Sequence, residues 1–144
     1  MSGVNADANL LASPSADLVI EWRELLNRHA AVTCALDKEL QQQHGMGVSE
    51  FETLDLLVDA AHTVASSPCE HRYRMSDLTR DSHLSQSALS RAVARLERDG
   101  LVARTMCTDD RRSIFVCVTD AGRDAYARAL PTHRETLART LHAE

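Results

Sequence analysis

LSQSALSRAVARLERDGLVARTMCTDDRRSIFVCVTDAG, residues 84 to 122, decides the fold. It reads as a helix, a tight stop, a short strand, a polar loop and a second strand. Ser85 is placed to cap the helix, its hydroxyl accepting an otherwise unpaired amide of the first turn. Ala88 follows three residues later, so there is no capping box. At 100° per residue, Leu89, Ala92, Val93 and Leu96 fall on one side, the spacing of a core stripe. Ser87, Ser90, Arg91, Ala94, Arg95 and Arg98 fall on the other. Gly100 occupies the left-handed position just past a helix, and Leu101 is placed to fold back on Leu96.

Leu101 to Arg104 then reads as a short strand. From Ser113 to Thr119 the chain alternates, with Ile114, Val116 and Val118 on one face and Phe115 and Cys117 on the other, the mark of a strand buried on one side. Between the strands lies TMCTDDRR, with Arg111 and Arg112 near its tip. Thr119 is positioned to cap a further helix. This order is the layout of a winged helix-turn-helix, a helix shaped for a DNA groove beside a hairpin that reaches the next one. Gln86, Ser87 and Ser90, with Ser85 before them, lie at the end where such helices touch base edges. Arg91 and Arg95 suit guanine edges or phosphates. An arginine on a thin hairpin suits a narrow minor groove. Asp110, beside Arg111 and Arg112, can orient a guanidinium through a bidentate pair. Alone, the helix is equally an amphipathic helix with a solvated arginine face; the hairpin after it favours the DNA reading.

LSQSALSRAVARLERDGLVAR followed by DRRSIFVCVTDAGR resembles the MarR family of bacterial transcription regulators. The family's wing pattern, Asp-x-Arg and then x-x-x-Val-x-Leu-Thr, matches Asp110, Arg112, Val116, Val118 and Thr119, with Val118 in place of the usual Leu. The likeness runs more weakly from about residue 15 to the C-terminus. It implies a mainly α fold with a small β-wing, a homodimer and a palindromic DNA operator as partner. Residues 1–14 would be a disordered tail. Within a single domain over 15–144, residues 15–47 and 120–144 would dimerise, and 48–119 would form the DNA-binding region. Thr79, Ser82 and His83 depart from the family's Ala, aliphatic and Gly at the helix-turn-helix turn, which predicts a less well packed turn in the same fold.

Along the rest of the chain, residues 15 to 43 predict a long helix with Leu18, Trp22, Leu25, Leu26, His29, Val32, Leu36 and Leu40 in one stripe. That stripe is long for a 144-residue monomer. Gly45 and Gly47 end it. Ser49 and Glu52 have capping-box spacing for a second helix, with Phe51, Leu54, Leu57, Val58 and Ala61 inward. Residues 62–72 read as a loop, longer than is usual in the family, and Ser76 as the cap of a short helix. Pro131 predicts a break, with a final helix carrying Leu137 and Leu141 after it.

The net charge of -5 is unexpected for a DNA binder, but it is unevenly spread. Residues 1–84 hold 6 Lys+Arg against 13 Asp+Glu, whereas residues 85–123 hold 7 against 5. Screening limits the reach of exposed charge to about 8–10 Å, so the local balance governs. An acidic body argues against a non-specific chromosome-coating protein. The chain has one lysine, Lys38, among 16 basic residues. Arginine's planar fork suits bidentate contacts, and a GC-rich genome explains the bias equally well. No Gly-rich phosphate loop, Gly-x-Ser-x-Gly or His-Glu-x-x-His motif points to an enzyme. No apolar run suggests a membrane span or leader, which predicts a cytoplasmic protein. No cofactor is implied.

The resemblance further implies a small aromatic effector, a phenol or aromatic acid, held between the dimer helices and the DNA-binding region. Trp22 and His29 are the candidates, and both serve equally as core or interface residues. With 1 Trp, 2 Tyr and 2 Phe, the chain has few aromatics for such a pocket. The alternative is thiol sensing. Cys107, among Arg104, Arg111 and Arg112, is best placed for a reactive thiolate. Cys34 reads as buried and Cys117 as outward-facing, while Cys69 lies in the long loop. Cys69 and His71 supply two metal ligands, short of the four a structural zinc site needs.

Overall fold

The computed structural model describes residues 14–63, 73–106 and 114–142. Among these, α1 spans Pro14–His44, α2 Val48–Thr63, α3 Met75–Asp81, α4 Gln86–Arg98 and α5 Asp120–Leu141. Strands β1 (Tyr73–Arg74), β2 (Val102–Met106) and β3 (Ile114–Val118) make an antiparallel sheet ordered β1-β3-β2. The expected architecture, mainly helical with a small β-wing, is the one observed.

The core gathers where α2, α4 and the sheet meet. Phe51, Leu54, Leu78, Leu89, Val93, Leu96 and Val116 are among its fully buried members, with Leu40 from α1 and Ala129 from α5. Every residue of the predicted α4 stripe is among the buried residues. In β3 the alternation holds in register but not in depth. Val116, paired with Arg104, is fully buried, whereas Ile114, at the outer end opposite Met106, is 39% exposed. Phe115, on the other face, lies under the Arg74 guanidinium at 5.5 Å. Strand β1 was not anticipated: its two residues pair with Phe115 and Val116 and are too few to show a period.

Helix α1 runs against α5. His44 Nε2 lies 2.8 Å from Thr132 Oγ1, and Arg28 Nη2 donates to the Leu141 carbonyl at 2.6 Å near the other end, so the two are antiparallel.

Four local expectations need correction. The cap of α2 is Gly47, not Ser49. Gly47 N–H donates to Glu50 Oε2 at 3.2 Å, and Asp37 Oδ1 accepts from Val48 N–H at 3.0 Å. Glu52 is thereby free of capping. Ser76 lies inside α3, whose cap position is Arg74, with no side-chain cap hydrogen bond. Pro131 does not divide the last helix: Ala125, Ala129, His133 and Thr136 are buried along one continuous α5. Cys34 is exposed rather than buried.

Tyr126 donates to Asp55 Oδ1 at 2.5 Å, and Tyr73 donates to Asp81 Oδ2. Burial first, and then these carboxylates, push both phenols up to about 12. An unfolded tyrosine ionises near about pH 10, so their contribution to stability is complete below that and is lost as pH rises through the folded value. An absorbance titration of the native chain, which has 2 tyrosines, is expected to show both phenolates forming near pH 12. Tyrosinate appearing near about pH 10 in the folded chain contradicts this.

Candidate nucleic-acid interface

The proposed recognition helix is bounded by its own residues. Ser85 Oγ accepts from Ala88 N–H at 3.2 Å, satisfying an amide that would otherwise be unpaired. At the other end Gly100 adopts φ +74°, which a side chain would resist. Gly100 N–H donates to the Glu97 carbonyl at 3.0 Å and Leu101 N–H to the Leu96 carbonyl at 2.9 Å. This pair is a Schellman stop. The turn before the helix is tied by Ser82 Oγ, which accepts from Leu84 N–H at 3.1 Å. Ser82 thus replaces an apolar anchor with a hydrogen bond.

With Leu89, Ala92, Val93 and Leu96 buried, the opposite face is presented outward. Ser85, Gln86, Ser87, Ser90, Arg91 and Arg95 are all exposed. The three arginines of α4 are not equivalent. Arg98 pairs with its neighbour Asp99 at 3.6 Å, and Arg95 Nη1 lies 3.4 Å from Glu50 Oε1. Arg91 has no carboxylate partner among the described residues. Behind the helix, Arg104 on β2 donates to Glu97 at 2.9 Å, holding that carboxyl below the usual range and tying the hairpin to α4. Asp110, Arg111, Arg112 and the redox candidate Cys107 lie outside the described residues, as do Cys69 and His71.

A cavity of about 530 Å³ opens where α1, the start of α2, the α3–α4 turn and α5 meet. His29, Thr33, Glu52, His83, Ser85 and Leu137 help line it. Trp22 does not: it lies about two turns back along α1, 59% exposed. His29 and Trp22, paired in the sequence reading, are therefore separated. Among the described residues, no Trp, Tyr or Phe lines the cavity. Glu52 links this wall to α5, since its Oε1 lies 3.2 Å from His133 Nε2. Arg134 Nη1 lies 2.7 Å from His133 Nδ1, and a guanidinium only donates. Nδ1 is therefore the acceptor, and the Nε2 proton points at Glu52. The ring stacks on Phe51 with centroids 4.4 Å apart. Sequence reasoning missed Glu50, Glu52 and His133 as members of these two sites. Their partners are 45 and 81 residues away in the chain, beyond any local pattern.

Comparison with known proteins agrees with this geometry. Residues 69–114 match the sequence profile described as the MarR family. The HTH-type transcriptional repressor YetL of Bacillus subtilis (strain 168) is 32% identical over 91 residues, 62% of this chain; the match spans only half the length of that curated relative. The structure of Sco3205, a MarR family transcriptional regulator from Streptomyces coelicolor in complex with DNA, superposes with a TM-score of 0.72 at 30% identity, covering 87% of this chain and 73% of that one. AbsC, a MarR family transcriptional regulator from the same organism, gives 0.68 at 31% identity, with 84% and 76% covered. The fold is thus shared with MarR regulators at 30% and 31% identity over 73% and 76% of their length, and the chain belongs to the MarR family of transcription regulators rather than to any class of enzyme.

Proposed function

We propose that this chain is a homodimeric, cytoplasmic repressor that binds a palindromic operator in double-stranded DNA and is released by a small effector. The observation that carries the DNA reading is α4 itself, with four apolar residues buried and Ser87, Ser90, Arg91 and Arg95 standing outward. The relative Sco3205 is described in complex with DNA, and YetL as a repressor. Residues 48–119 form the DNA-binding region, and 15–47 with 120–144 the dimerisation region. Two such helices address half-sites about 34 Å apart. Ser85 to Arg95 meet the major groove, and Arg111 and Arg112, oriented by Asp110, reach the minor groove.

The cavity beside α4 is the effector site. His29, His83 and Glu52 offer hydrogen-bonding groups, and the carboxylate of Glu52 favours a phenol over an aromatic acid. Its occupation works by altering the separation of the two DNA-binding regions, and a two-state dimer then loses its operator.

Electrophoretic shift on the promoter of the chain's own gene tests this. Arg91→Ala and Arg95→Ala are each expected to weaken specific binding by roughly 1–3 kcal/mol. Arg112→Ala should weaken it with dimer and fold intact. Unchanged affinity in all three variants removes the assignment of this surface. Phenols are expected to release the wild-type complex at lower concentration than matched aromatic acids.

A further inference from the structure

The exposed face of α4 has a carboxylate set into its edge. Glu50 belongs to α2 and is 7% exposed. Its Oε2 accepts from Gly47 N–H at 3.2 Å, which fixes the carboxyl to the backbone. Its Oε1 lies 3.4 Å from Arg95 Nη1, while the Arg95 side chain remains 59% exposed. Ser49, Glu50, Ala88, Arg91, Ala92 and Arg95 wall a concavity of about 230 Å³ at this edge.

An acidic group on a surface that meets DNA repels phosphates and weakens sequence-independent attraction. It also acts on the arginine beside it. A guanidinium carries five N–H donors in a rigid fork. With Nη1 directed to Glu50, the Nε–Nη2 edge is left to pair with another group. An arginine already held in place loses less side-chain freedom on docking. Its charge, partly matched by Glu50, is also less drawn to any passing phosphate.

We propose that Glu50 is a specificity-determining residue that positions Arg95, so that the guanidinium's free edge reads a base rather than gripping the backbone. The inference rests on the DNA-binding function proposed above. It assigns to Glu50, which itself touches no base, a part in sequence discrimination.

The test is selection from a randomised duplex library at fixed salt, followed by titration of the enriched duplex against a scrambled one. Arg95→Ala is expected to relax base preference at one position of each half-site. Glu50→Gln, which can still accept from Gly47, is expected to relax the same position and to lower the enriched-to-scrambled affinity ratio by about tenfold. The double variant should do no worse than Arg95→Ala. Asp37→Ala separates a structural role, because Asp37 Oδ1 accepts from Val48 N–H at the same helix start, 3.0 Å away, while Arg95 is held by Glu50. It should lose thermal stability and keep the base preference. If Glu50→Gln keeps the preference while Arg95→Ala relaxes it, or if Asp37→Ala relaxes it equally, Glu50 serves only to start α2 and the proposal falls. If Arg95→Ala itself changes nothing, or the wild-type chain enriches no sequence, the DNA-binding surface is misassigned and the proposal falls with it.

Discussion

Gly122→Ala is expected to destabilise the fold by about 3 kcal/mol or more, as overpacking against a fixed backbone does. A Cβ built there would stand 2.0 Å from the Leu101 carbonyl oxygen and 2.8 Å from Val118 Cγ2. The carbonyl cannot easily withdraw. It accepts from Thr119 N–H at 3.0 Å. Thr119 Oγ1 in turn donates to the Gly100 carbonyl at 2.7 Å and accepts from Gly122 N–H at 3.0 Å. One residue thus ties the stop of α4, the end of β3 and the start of α5. Alanine is the better helix former by about 1 kcal/mol, but that gain is smaller than the clash. The glycine is needed for space, not for an unusual φ, since the positive-φ glycines among the described residues are Gly45 and Gly100. Ala121→Gly, one position earlier and exposed, should cost only about 1 kcal/mol. Urea melts of the two variants check the contrast. Equal midpoints for Gly122→Ala and wild type would show that α5 is not stitched to the turn in this way.

Helix α4 was legible because its determinants are local. Ser85, the Leu89–Leu96 stripe and Gly100 lie within 16 residues, and each acts on backbone within one turn of itself. The corrections arise where two local signals compete and a distant residue decides. Both Gly47–Glu50 and Ser49–Glu52 have the spacing of a reciprocal cap. Asp37 settles the start at Val48 by accepting its N–H, and His133 engages Glu52. Pro131 is a local helix breaker, since it lacks an N–H and crowds the carbonyl four residues back. It is exposed, however, while Ala129 and His133 on either side of it are buried on one face, and that packing carries the helix through. The Glu50–Arg95 pair was invisible for the same reason: Arg95 is read from the period of α4, but its partner comes from another helix.

The predicted α1 stripe lies on one continuous helix, but the chain itself buries only three of its eight residues. Val32, Leu36 and Leu40 are buried, whereas Leu18 is 62% exposed, Ile20 56%, Trp22 59% and Leu25 55%. Large apolar residues clustered on one exposed segment mark an association surface more often than free solvent surface. A second copy of α1 is the occupant the DNA reading calls for, since a palindrome presents two identical half-sites. Each such side chain is worth about 1.5–3 kcal/mol when fully buried, so several together can hold a dimer against the loss of free motion. Introducing charge there should reverse this, because an unpaired carboxylate resists removal from water. The double variant Trp22→Glu, Leu25→Glu is therefore expected to be monomeric by sedimentation at concentrations where wild type is dimeric. Its helical content should be kept, as neither side chain supports the single chain's core. Operator affinity should fall by roughly 10²–10⁴, the gain that linking two binding modules supplies. A variant that remains dimeric would place the interface elsewhere. A wild-type chain that sediments as a monomer while binding its operator at full affinity would leave the exposed half of α1 without the role argued for it, and would require one copy of α4 to supply all the specificity.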